Sequence, residues 1–400
     1  MEIPQINLRK QEEKRIKGGH PWVYSNEIDT KKTPLKGLEP GSQVIVNDHN
    51  DKELGVATVN PNSLIAARLF TRNSKERLNQ RLLVAKIEQA LAIRQQIFSE
   101  PFYRLVYGES DGIPGLVVDR FGEYLVVQLN TQGMDKAKDT VISALNKVLK
   151  PTAILIKNDS TARVQEGLEK NQEIIGEWPD QIMVRENGVE FMIDPVHGQK
   201  TGWFYDHRQN RSRLQDYVKM IDGAKVLDLY SYVGGWGLQA AAAGAASVRC
   251  VDSSEKALQQ LRASIEHNQL QDIVSAVQGD VFKVAEELID AGERFDIVVA
   301  DPPAFIKKRK DIRSGTKGYQ RLYQLCLRLL NPNGLLVACS CSMHYKEDAM
   351  LDTLRGSGRH VDRFVRILER GGQGADHPIH PAIAETQYLK AIFCSSSYSS

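Results

Sequence analysis

The chain has 400 residues, 42% of them apolar and 26% charged, with a net charge of +2. This composition is typical of a globular chain that can bury a core unaided, and five cysteines exclude a disulfide scaffold and fit a reducing compartment. Because the sequence has neither an 18-residue apolar run nor an apolar N-terminal signal segment, we expect a cytoplasmic protein without a membrane span.

The distribution of charge is more informative than its sum. Seven basic residues and one acid lie between Ala304 and Leu322, a local charge of +6 that includes the run Lys307–Lys310. A basic cluster on a nearly neutral protein indicates a docking site for an anion. The alternative is a solvated loop, which is the commoner outcome for charge runs.

Residues 1–72 are predicted to form a small β-rich domain. Three short apolar stretches separated by turn-rich segments are typical of antiparallel strands. They are Gln43–Asn47, Leu54–Val59 and Leu64–Phe70. Upstream, Trp22 and Tyr24 follow a Gly-Pro turn near Lys17, so they could stack on bases while the lysine holds a phosphate. The usual burial of large aromatics favours the alternative that both belong to a barrel core.

Residues 73–190 are predicted to form a helix and an α+β domain. Ser74 is the expected N-cap of a helix that continues to about Ser99. The expected strands that follow are Leu116–Asp119, Leu125–Asn130, Ile154–Lys157, Val184–Glu186 and Val189–Ile193, with a helix at Asp135–Leu149. Asn187-Gly188 predicts a tight hairpin between the last two strands. This domain carries no obvious catalytic cluster.

Strands and helices alternate from about residue 191 onward. The predicted strands are Ala224–Leu229, Ser247–Val251, Ile273–Val277, Phe295–Ala300 and Gly334–Cys339. The predicted helices are Gly237–Ala243, Glu255–Asn268, Val281–Ala291 and Gly318–Leu330. Apolar strands that alternate with amphipathic helices predict a doubly wound parallel sheet, so the fold class is α/β. The low-complexity end, Ser395–Ser400, is predicted to be disordered.

Candidate ligand-binding residues follow the first three strands of this sheet. Asp228 lies in the first strand, and the glycine turn Ser231–Gly235 after it lets the backbone approach a ligand. Asp252 ends the second strand, where a carboxylate can accept from both hydroxyls of a ribose. Asp280 follows the third strand, where it can accept from an adenine amine. Helix N-capping is the alternative for these last two acids, but their joint placement favours an adenosine-containing ligand.

A rigid corner and a cysteine follow the fourth and fifth strands. The two prolines of Asp301-Pro302-Pro303 freeze a loop that can hold a planar base against the ligand. Cys341 lies just beyond the fifth strand, at the same edge of the sheet if Cys339 points into it. Because no second cysteine pair or nearby histidine completes a zinc site, no metal is predicted.

These motifs and three further segments together resemble a known family. The matching segments are Gly19–Asn26, Asp111–Leu116, Gln199–Arg211, Asp301–Phe305, Ser340–Ser342 and Asp376–Pro378. Over nearly its whole length the chain resembles the S-adenosylmethionine-dependent cytosine-C5 methyltransferases of large-subunit (23S) ribosomal RNA that carry a PUA domain. The resemblance implies a PUA domain at 1–72, a middle domain at 73–190 and a Rossmann-like class I methyltransferase domain at 191–400. It also implies that the last strand, near Glu385–Phe393, runs antiparallel.

The resemblance further implies roles for individual residues. Cys341 would be the nucleophile that adds to C6 of cytosine, and Asp301 would hydrogen-bond the N3/N4 edge of that base. The residues implied to hold S-adenosylmethionine are Asp228, Ser231, Gly234, Gly235, Asp252, Asp280, Gln199, Thr201, Asp206 and Arg208. The residues expected to contact RNA are Lys307, Lys308, Arg309, Lys310, Trp22 and Lys17.

Several alternatives remain open at this point. An RNA N-methyltransferase acting on guanine N7 or an exocyclic amine would use the same fold and proline corner but would need no thiol. A non-catalytic RNA-binding protein is a second alternative, and the intact acids at the strand ends argue against it. The sequence determines neither the target nucleotide, nor whether naked RNA or an assembled particle is the substrate. It also leaves open the base that releases the adduct and the oligomeric state, a homodimer included.

Overall fold

The computed structural model describes residues 3–398, which divide into two compact units. The first unit contains residues up to Asp180 together with Pro195–Trp203 and Ala375–Thr386. The second contains Gln181–Asp194, Phe204–Gly374 and the C-terminal residues from Gln387. Within the described part of the chain, no helix is both long and apolar enough to cross a membrane.

The N-terminal part of the first unit is a five-stranded sheet. Its elements are β1 (Gln5–Asn7), α1 (Glu13–Lys17), β2 (Trp22–Tyr24), β3 (Gln43–Asn47), β4 (Glu53–Val59) and β5 (Ile65–Thr71). The strand order is β1-β3-β4-β5-β2, and β3, β4 and β5 pair antiparallel, which confirms the three predicted strands. The edge strands β1 and β2 have only three residues each, too few to show an alternating pattern in the sequence.

The long helix of the first unit begins later than predicted. Helix α2 spans Gln80–Ile97, and its N-cap is Asn79, whose side chain accepts a hydrogen bond from the Leu82 N–H at 3.0 Å. The expected cap at Ser74 is therefore wrong. Both residue types are good caps, but Asn79 stands directly before the apolar stripe that the helix buries, and that burial decides where the helix starts.

A second five-stranded sheet completes the first unit. Its elements are β6 (Phe102–Tyr107), β7 (Leu116–Phe121), β8 (Tyr124–Leu129), α3 (Gln132–Lys136), α4 (Lys138–Leu149), β9 (Ala153–Asn158), α5 (Thr161–Gln165) and β10 (Asn171–Gly176). The strand order is β10-β9-β8-β7-β6. The single helix predicted at Asp135–Leu149 is divided at Ala137, because Thr131 caps a separate short helix by accepting from the Met134 N–H.

The second unit contains a hairpin and the large sheet. The hairpin pairs β11 (Ile182–Glu186) with β12 (Val189–Ile193), and its turn residues Asn187 and Gly188 have φ of 50° and 80°, as the predicted turn requires. The elements that follow are α6 (Arg208–Lys219), β13 (Lys225–Leu229), α7 (Gly237–Ala242), β14 (Ser247–Asp252), α8 (Glu255–His267), β15 (Val274–Gln278), α9 (Val281–Asp290), β16 (Phe295–Ala300), α10 (Ile312–Leu329), β17 (Leu330–Ser340), α11 (Glu347–His360), β18 (Arg363–Gly371) and β19 (Lys390–Tyr398).

The seven strands of the large sheet have the order β15-β14-β13-β16-β17-β19-β18. The strands β13 to β17 are parallel, whereas β19 runs antiparallel to both of its neighbours. This topology confirms the doubly wound α/β class and the antiparallel last strand. It also brings the carboxyl ends of five strands to one edge of the sheet.

The predicted disorder at Ser395–Ser400 is wrong for Ser395–Tyr398, and the last two residues lie outside the described range. These residues belong to β19, which hydrogen-bonds to β17 on one side and β18 on the other, and Ser396 is fully buried. Small polar side chains look unstructured in a sequence, but pairing on both sides satisfies the backbone whatever the side chains are.

Helix α10 begins at Ile312, six residues before the predicted start at Gly318. Its N-terminal half carries two glycines that weaken the helical pattern. A Cβ added at Gly315 would lie 2.3 Å from Ile306 Cγ1, and one at Gly318 would lie 3.1 Å from Phe305 Cδ2. The glycines therefore allow the loop after Asp301 to pack directly against the helix backbone.

Candidate active site

Five candidate residues follow five neighbouring strands at the carboxyl edge of the large sheet. In spatial order they are Asp280 after β15, Asp252 at the end of β14, Asp228 within β13, Asp301 after β16 and Cys341 after β17. Along the chain, Asp228 and Cys341 are separated by more than a hundred residues. The parallel arrangement of the strands brings them to one crevice-forming edge.

Asp228 is fully buried at the centre of this edge. Its Oδ2 accepts a hydrogen bond from the Gly237 N–H at 2.9 Å, while its Oδ1 has no hydrogen-bond partner among the described residues. Burial raises the pKa of Asp228 to about 8, and the carboxylates of Asp301 and Asp252 add to the rise. A buried carboxyl group with an unsatisfied oxygen fits a ligand that donates a hydrogen bond or carries positive charge.

The turn after β13 is shaped by its glycines and by Asp252. Tyr232 has φ of 51° and donates its N–H to Asp252 Oδ2 at 2.9 Å. Gly234 has φ of 84°, and a Cβ there would lie 2.3 Å from Leu261 Cδ1. Ser231 is buried, and its Oγ has no partner among the described residues. The turn thus keeps a close backbone approach and leaves a second buried polar atom available to a ligand.

Of the two acids that could have been helix N-caps, Asp280 is one and Asp252 is not. Asp280 is the N-cap of α9 and accepts from the Lys283 N–H at 3.1 Å, and its side chain is exposed. Asp252 does not cap α8, because Ser254 does so by accepting from the Ala257 N–H. Asp252 instead accepts two backbone N–H groups, those of Tyr232 and Ser254, which fix its carboxylate in place.

Asp301 is held by a chain of buried side chains. His207 Nε2 lies 3.3 Å from Asp301 Oδ1, and the Trp236 indole N–H donates to Oδ2 at 3.1 Å. Although burial would raise the pKa of Asp301, His207 and Trp236 outweigh it and hold that pKa below its ordinary value. Asp301 keeps 23% of its side chain exposed, so its oriented carboxylate is partly accessible to a ligand.

The orientation of the His207 ring is fixed by a second neighbour, Asn210. Asn210 Nδ2 donates to the carbonyl oxygen of Gly372 at 2.9 Å, which fixes the orientation of the amide. The same Nδ2 lies 3.0 Å from His207 Nδ1, which must therefore accept. This network directs the proton on His207 Nε2 at Asp301.

The loop that carries Cys341 is pinned on both sides. The Tyr319 hydroxyl lies 2.9 Å from the Oγ atoms of both Ser340 and Ser342, and Ser342 Oγ also accepts from the Ile306 N–H at 3.3 Å. Cys341 itself is half-buried, whereas the other four cysteines of the chain are buried. Its position at a fixed, partly accessible strand end is what a nucleophilic thiol needs.

His207, Asp301 and Cys339 offer three ligand atoms within 4.8 Å of one another. His207 and Asp301, however, pair directly with each other. Burial raises the pKa of Cys339 well above its ordinary value, and Asp301 and Asp228 raise it further, so its thiol is neutral. His207 and Asp301 thus form a contacting pair beside the buried thiol of Cys339.

The remaining predicted cofactor residues divide between the two units. Gln199 and Thr201 belong to the first unit, where Thr201 is buried. Asp206 and Arg208 belong to the second unit, at the start of α6. Asp206 Oδ2 accepts from the Tyr388 hydroxyl at 2.6 Å, and the Arg208 guanidinium lies 5.2 Å from the centre of the Tyr205 ring.

The predicted RNA contacts occupy different environments. Lys307, Lys308, Arg309 and Lys310 are all exposed, directly before α10. In the first unit, Lys17 is exposed and pairs with Asp48 at 3.1 Å, while the half-buried Trp22 donates its indole N–H to Glu109 at 2.9 Å. Trp22 is therefore neither a buried core residue nor a fully exposed stacking surface.

Two family models match the chain. One, described as a PUA-like domain, matches residues 6–72, and the other, described as an S-adenosylmethionine-dependent methyltransferase, matches residues 168–392. Curated relatives named ribosomal RNA large subunit methyltransferase I align over nearly the full chain. The relative from Shewanella denitrificans is 35% identical over 396 residues, 97% of this chain and 98% of its own. That from Cronobacter sakazakii is 34% identical over 398 residues, 98% of each chain.

The chain belongs to the ribosomal RNA large subunit methyltransferase I family. It is therefore an S-adenosylmethionine-dependent methyltransferase with an N-terminal PUA-like domain, as the resemblance implied. Solved structures confirm the fold of this family member. A protein assigned as a methyltransferase and crystallised with SAH has a TM-score of 0.81 at 22% identity, covering 99% of this chain and 100% of its own. Another, from Streptococcus mutans, has a TM-score of 0.80 at 21% identity, covering 98% and 100%.

The buried polar atoms of the crevice suit the cofactor of this family. Asp228 Oδ1 and Ser231 Oγ lack partners among the described residues, and S-adenosylmethionine carries an ammonium group and two ribose hydroxyls that can donate to such atoms. The glycine turn between β13 and α7 gives the close approach that a ligand at this edge requires.

The sequence predicted no role for four residues that contact the candidate site residues or their loops: His207, Asn210, Trp236 and Lys390. His207 and Asn210 lie three apart at the start of α6, a spacing that could have placed them on one face. Trp236 stands within the glycine turn, where an aromatic gives no signal of its own. Lys390 had no local signal, because only the pairing of β19 with β17 brings it opposite Ser340.

Proposed function

We propose that this methyltransferase forms 5-methylcytosine in large-subunit ribosomal RNA through a covalent bond between Cys341 and C6 of the target base. The observation that carries the proposal is the half-buried Cys341 on a pinned loop, at the same sheet edge as Asp301 and the buried carboxyl group of Asp228. The curated relatives' names supply the substrate class.

The chemistry of cytosine explains why a thiol is needed. C5 is a poor nucleophile until a thiolate adds to C6, which makes the ring enamine-like. The cofactor, when bound, supplies an electrophilic methyl group for C5. A base must then remove the C5 proton, and the electron pair of that C5–H bond re-forms the C5–C6 double bond as the C6–S bond breaks and the Cys341 thiolate departs.

Asp301 has the properties that recognition of the base requires. Two N–H donors, from His207 and Trp236, hold its carboxylate ionised and in one orientation. Its remaining lone pairs can accept from the exocyclic amine of cytosine, which favours the charge that develops on the ring. His207, Asn210 and Trp236 act through Asp301, so they are positioning residues.

We assign the cofactor to the residues at the first three strand ends. Asp228 and the turn Ser231–Gly235 would hold the methionine part, Asp252 the ribose and Asp280 the adenine. Thr201, Asp206 and Arg208 would close over the amino-acid end. These assignments rest on the unsatisfied buried atoms of Asp228 and Ser231 and on the fixed carboxylate of Asp252.

RNA contact is assigned to the exposed basic run and to the N-terminal domain. Lys307–Lys310 follows the Asp301 corner in the chain, so its charges can bind phosphates that flank a flipped or unpaired target base. Trp22 and Lys17 would contribute from the PUA-like domain. We also retain 1–72, 73–190 and 191–400 as the boundaries of the three functional domains.

The decisive experiment compares the wild-type protein with Cys341→Ala on unmodified ribosomal RNA. With a labelled methyl donor, we expect the wild type to label a cytosine at C5, mapped by nuclease digestion and mass spectrometry, and Cys341→Ala to lose labelling by several orders of magnitude. RNA containing 5-fluorocytosine should trap a denaturation-resistant adduct with the wild type alone, because fluorine at C5 cannot leave as a proton.

The control is equilibrium binding of labelled cofactor, which Cys341→Ala should retain if it is folded. Methylation that survives in this variant, with the label on a nitrogen, would establish an N-methyltransferase instead. Cofactor binding without any RNA labelling in the wild type would indicate an RNA-binding protein.

A further inference from the structure

Lys390 lies beside the loop that carries Cys341. It is the first residue of β19 and pairs in register with Ser340, the last residue of β17. Its Nζ donates to the carbonyl oxygen of Ser342 at 2.8 Å and to that of Tyr388 at 2.9 Å. Lys390 is thus tied directly to the residue that follows Cys341.

The charge of Lys390 is poorly solvated in this position. Its side chain is half-buried, and burial lowers its pKa to about 8, while the negative charges of Cys341 and Glu347 act in the opposite direction. Glu347 lies in the first turn of α11, and Tyr319 and Cys339 also interact with Cys341. An ammonium group has three N–H donors, of which the two carbonyl oxygens take two.

We propose that Lys390 stabilises the thiolate form of Cys341 and so prepares it for attack on the base. This inference rests on the proposed function, in which Cys341 is the nucleophile. The two carbonyl contacts hold Nζ at the loop, and its remaining N–H and positive charge are available to the thiolate. Because the interaction is reciprocal, the cation favours the thiolate by the same free energy with which the thiolate favours the cation. Lys390 acts through Cys341, so it is a positioning residue.

Because the cysteines differ in burial, the ionisation of the Cys341 thiol can be measured directly. Since Cys341 is half-buried and the other four cysteines of the chain are buried, a small alkylating reagent should modify Cys341 selectively in the folded protein. The rate of iodoacetamide modification from about pH 6 to about pH 10 then gives the pH midpoint of that thiol without RNA or cofactor. Cys341→Ala should abolish the fast modification and so confirm its assignment.

Two variants of Lys390 distinguish the effect of its positive charge from the effect of its hydrogen bonds to the loop. Lys390→Met removes the charge and both hydrogen bonds, and we expect the midpoint to rise by about one pH unit, which slows alkylation about tenfold below the midpoint. Lys390→Arg keeps the charge, so its midpoint should stay within about half a pH unit of the wild-type midpoint and its alkylation rate within about threefold at every pH. Labelled-cofactor binding and near-ultraviolet circular dichroism verify that both variants are folded.

An unchanged midpoint in Lys390→Met would overturn the inference. An equal rise in Lys390→Arg would also overturn it, because the residue would then serve only as an anchor for Ser342. The outcome is independent of the proposed function. If Cys341→Ala still methylates RNA, the covalent mechanism fails, whereas the alkylation profile continues to report on Lys390 and Cys341.

Discussion

At the scale of single residues, the site depends on groups that act through a neighbour. Asp301 was recognisable in the sequence as an acid before two prolines, but its ionisation depends on His207 and Trp236. His207 in turn owes its ring orientation to Asn210, which the Gly372 carbonyl group orients. His207 and Asn210 are neighbours in the sequence, but Trp236, Asp301 and Gly372 come from other parts of the chain, so no single local pattern predicts the whole network.

Removing the His207 donor should weaken base recognition. In His207→Ala, Asp301 loses one of two donors and its pKa rises, so the acidic limb of the pH–rate profile should move to higher pH. A hydrogen bond to a charged group contributes about 1.5–3 kcal/mol, so methylation at neutral pH should fall about 10- to 100-fold. Profiles of kcat and KM against pH test this.

His207→Gln is the matched control, because a glutamine amide can still donate to Asp301 Oδ1. It should restore much of the rate and return the acidic limb toward the wild-type position. If the limb of His207→Ala coincides with that of the wild type, Asp301 does not depend on His207.

At the scale of elements, the loop after Asp301 is supported by close contacts with helix α10. The loop after Asp301 reaches α10 at Gly315, where an added Cβ would lie 2.8 Å from the Phe305 carbonyl oxygen. Glycine at this position lowers the helical propensity of α10, but it lets the loop approach the helix backbone.

Gly315→Ala should destabilise the protein, although alanine favours a helix by about 1 kcal/mol over glycine. Overpacking costs about 1–3 kcal/mol, so we expect a net loss of unfolding free energy and lower methylation, because the Asp301 loop must move. Urea unfolding and initial rates measure the two effects.

Gly356 in α11 provides the control, because a Cβ added there meets nothing within 4 Å. Gly356→Ala should raise the unfolding free energy by about 0.5–1 kcal/mol and leave activity unchanged. Equal stabilisation by both substitutions would show that α10 and the loop are not closely packed.

At the scale of the whole molecule, the buried Asp228 links stability to pH. Its pKa is about 8 in the folded protein and about 3.9 for an unfolded chain, so between these values the folded state binds more protons. The unfolding free energy should therefore fall as pH rises through this window, by at most about 1.4 kcal/mol per pH unit.

Asp228→Asn removes this titration while keeping the shape of the side chain. The difference in unfolding free energy between wild type and variant, from urea unfolding at several pH values, should shift in favour of the variant from about pH 4 to about pH 8. If the unfolding free energies of wild type and variant instead change with pH in parallel, Asp228 is ionised in the folded protein over this range.

The sequence by itself determined the α/β class. It also determined which candidate residue lies at the end of which strand. It could do so because apolar strands alternate regularly with amphipathic helices and because Asp228, Asp252, Asp280, Asp301 and Cys341 directly follow or end those strands. It misplaced the N-cap of α2 and the start of α10 because burial and close packing, rather than propensity, decided both.

The tertiary structure alone decided how the site is completed. Sheet pairing made the serine-rich segment Ser395–Tyr398 part of an ordered strand and brought Lys390 opposite Ser340. The tertiary fold also placed His207, the residue before α6, 3.3 Å from Asp301. Such contacts join residues far apart in the chain, and their free energy depends on burial and distance, which no local sequence pattern encodes.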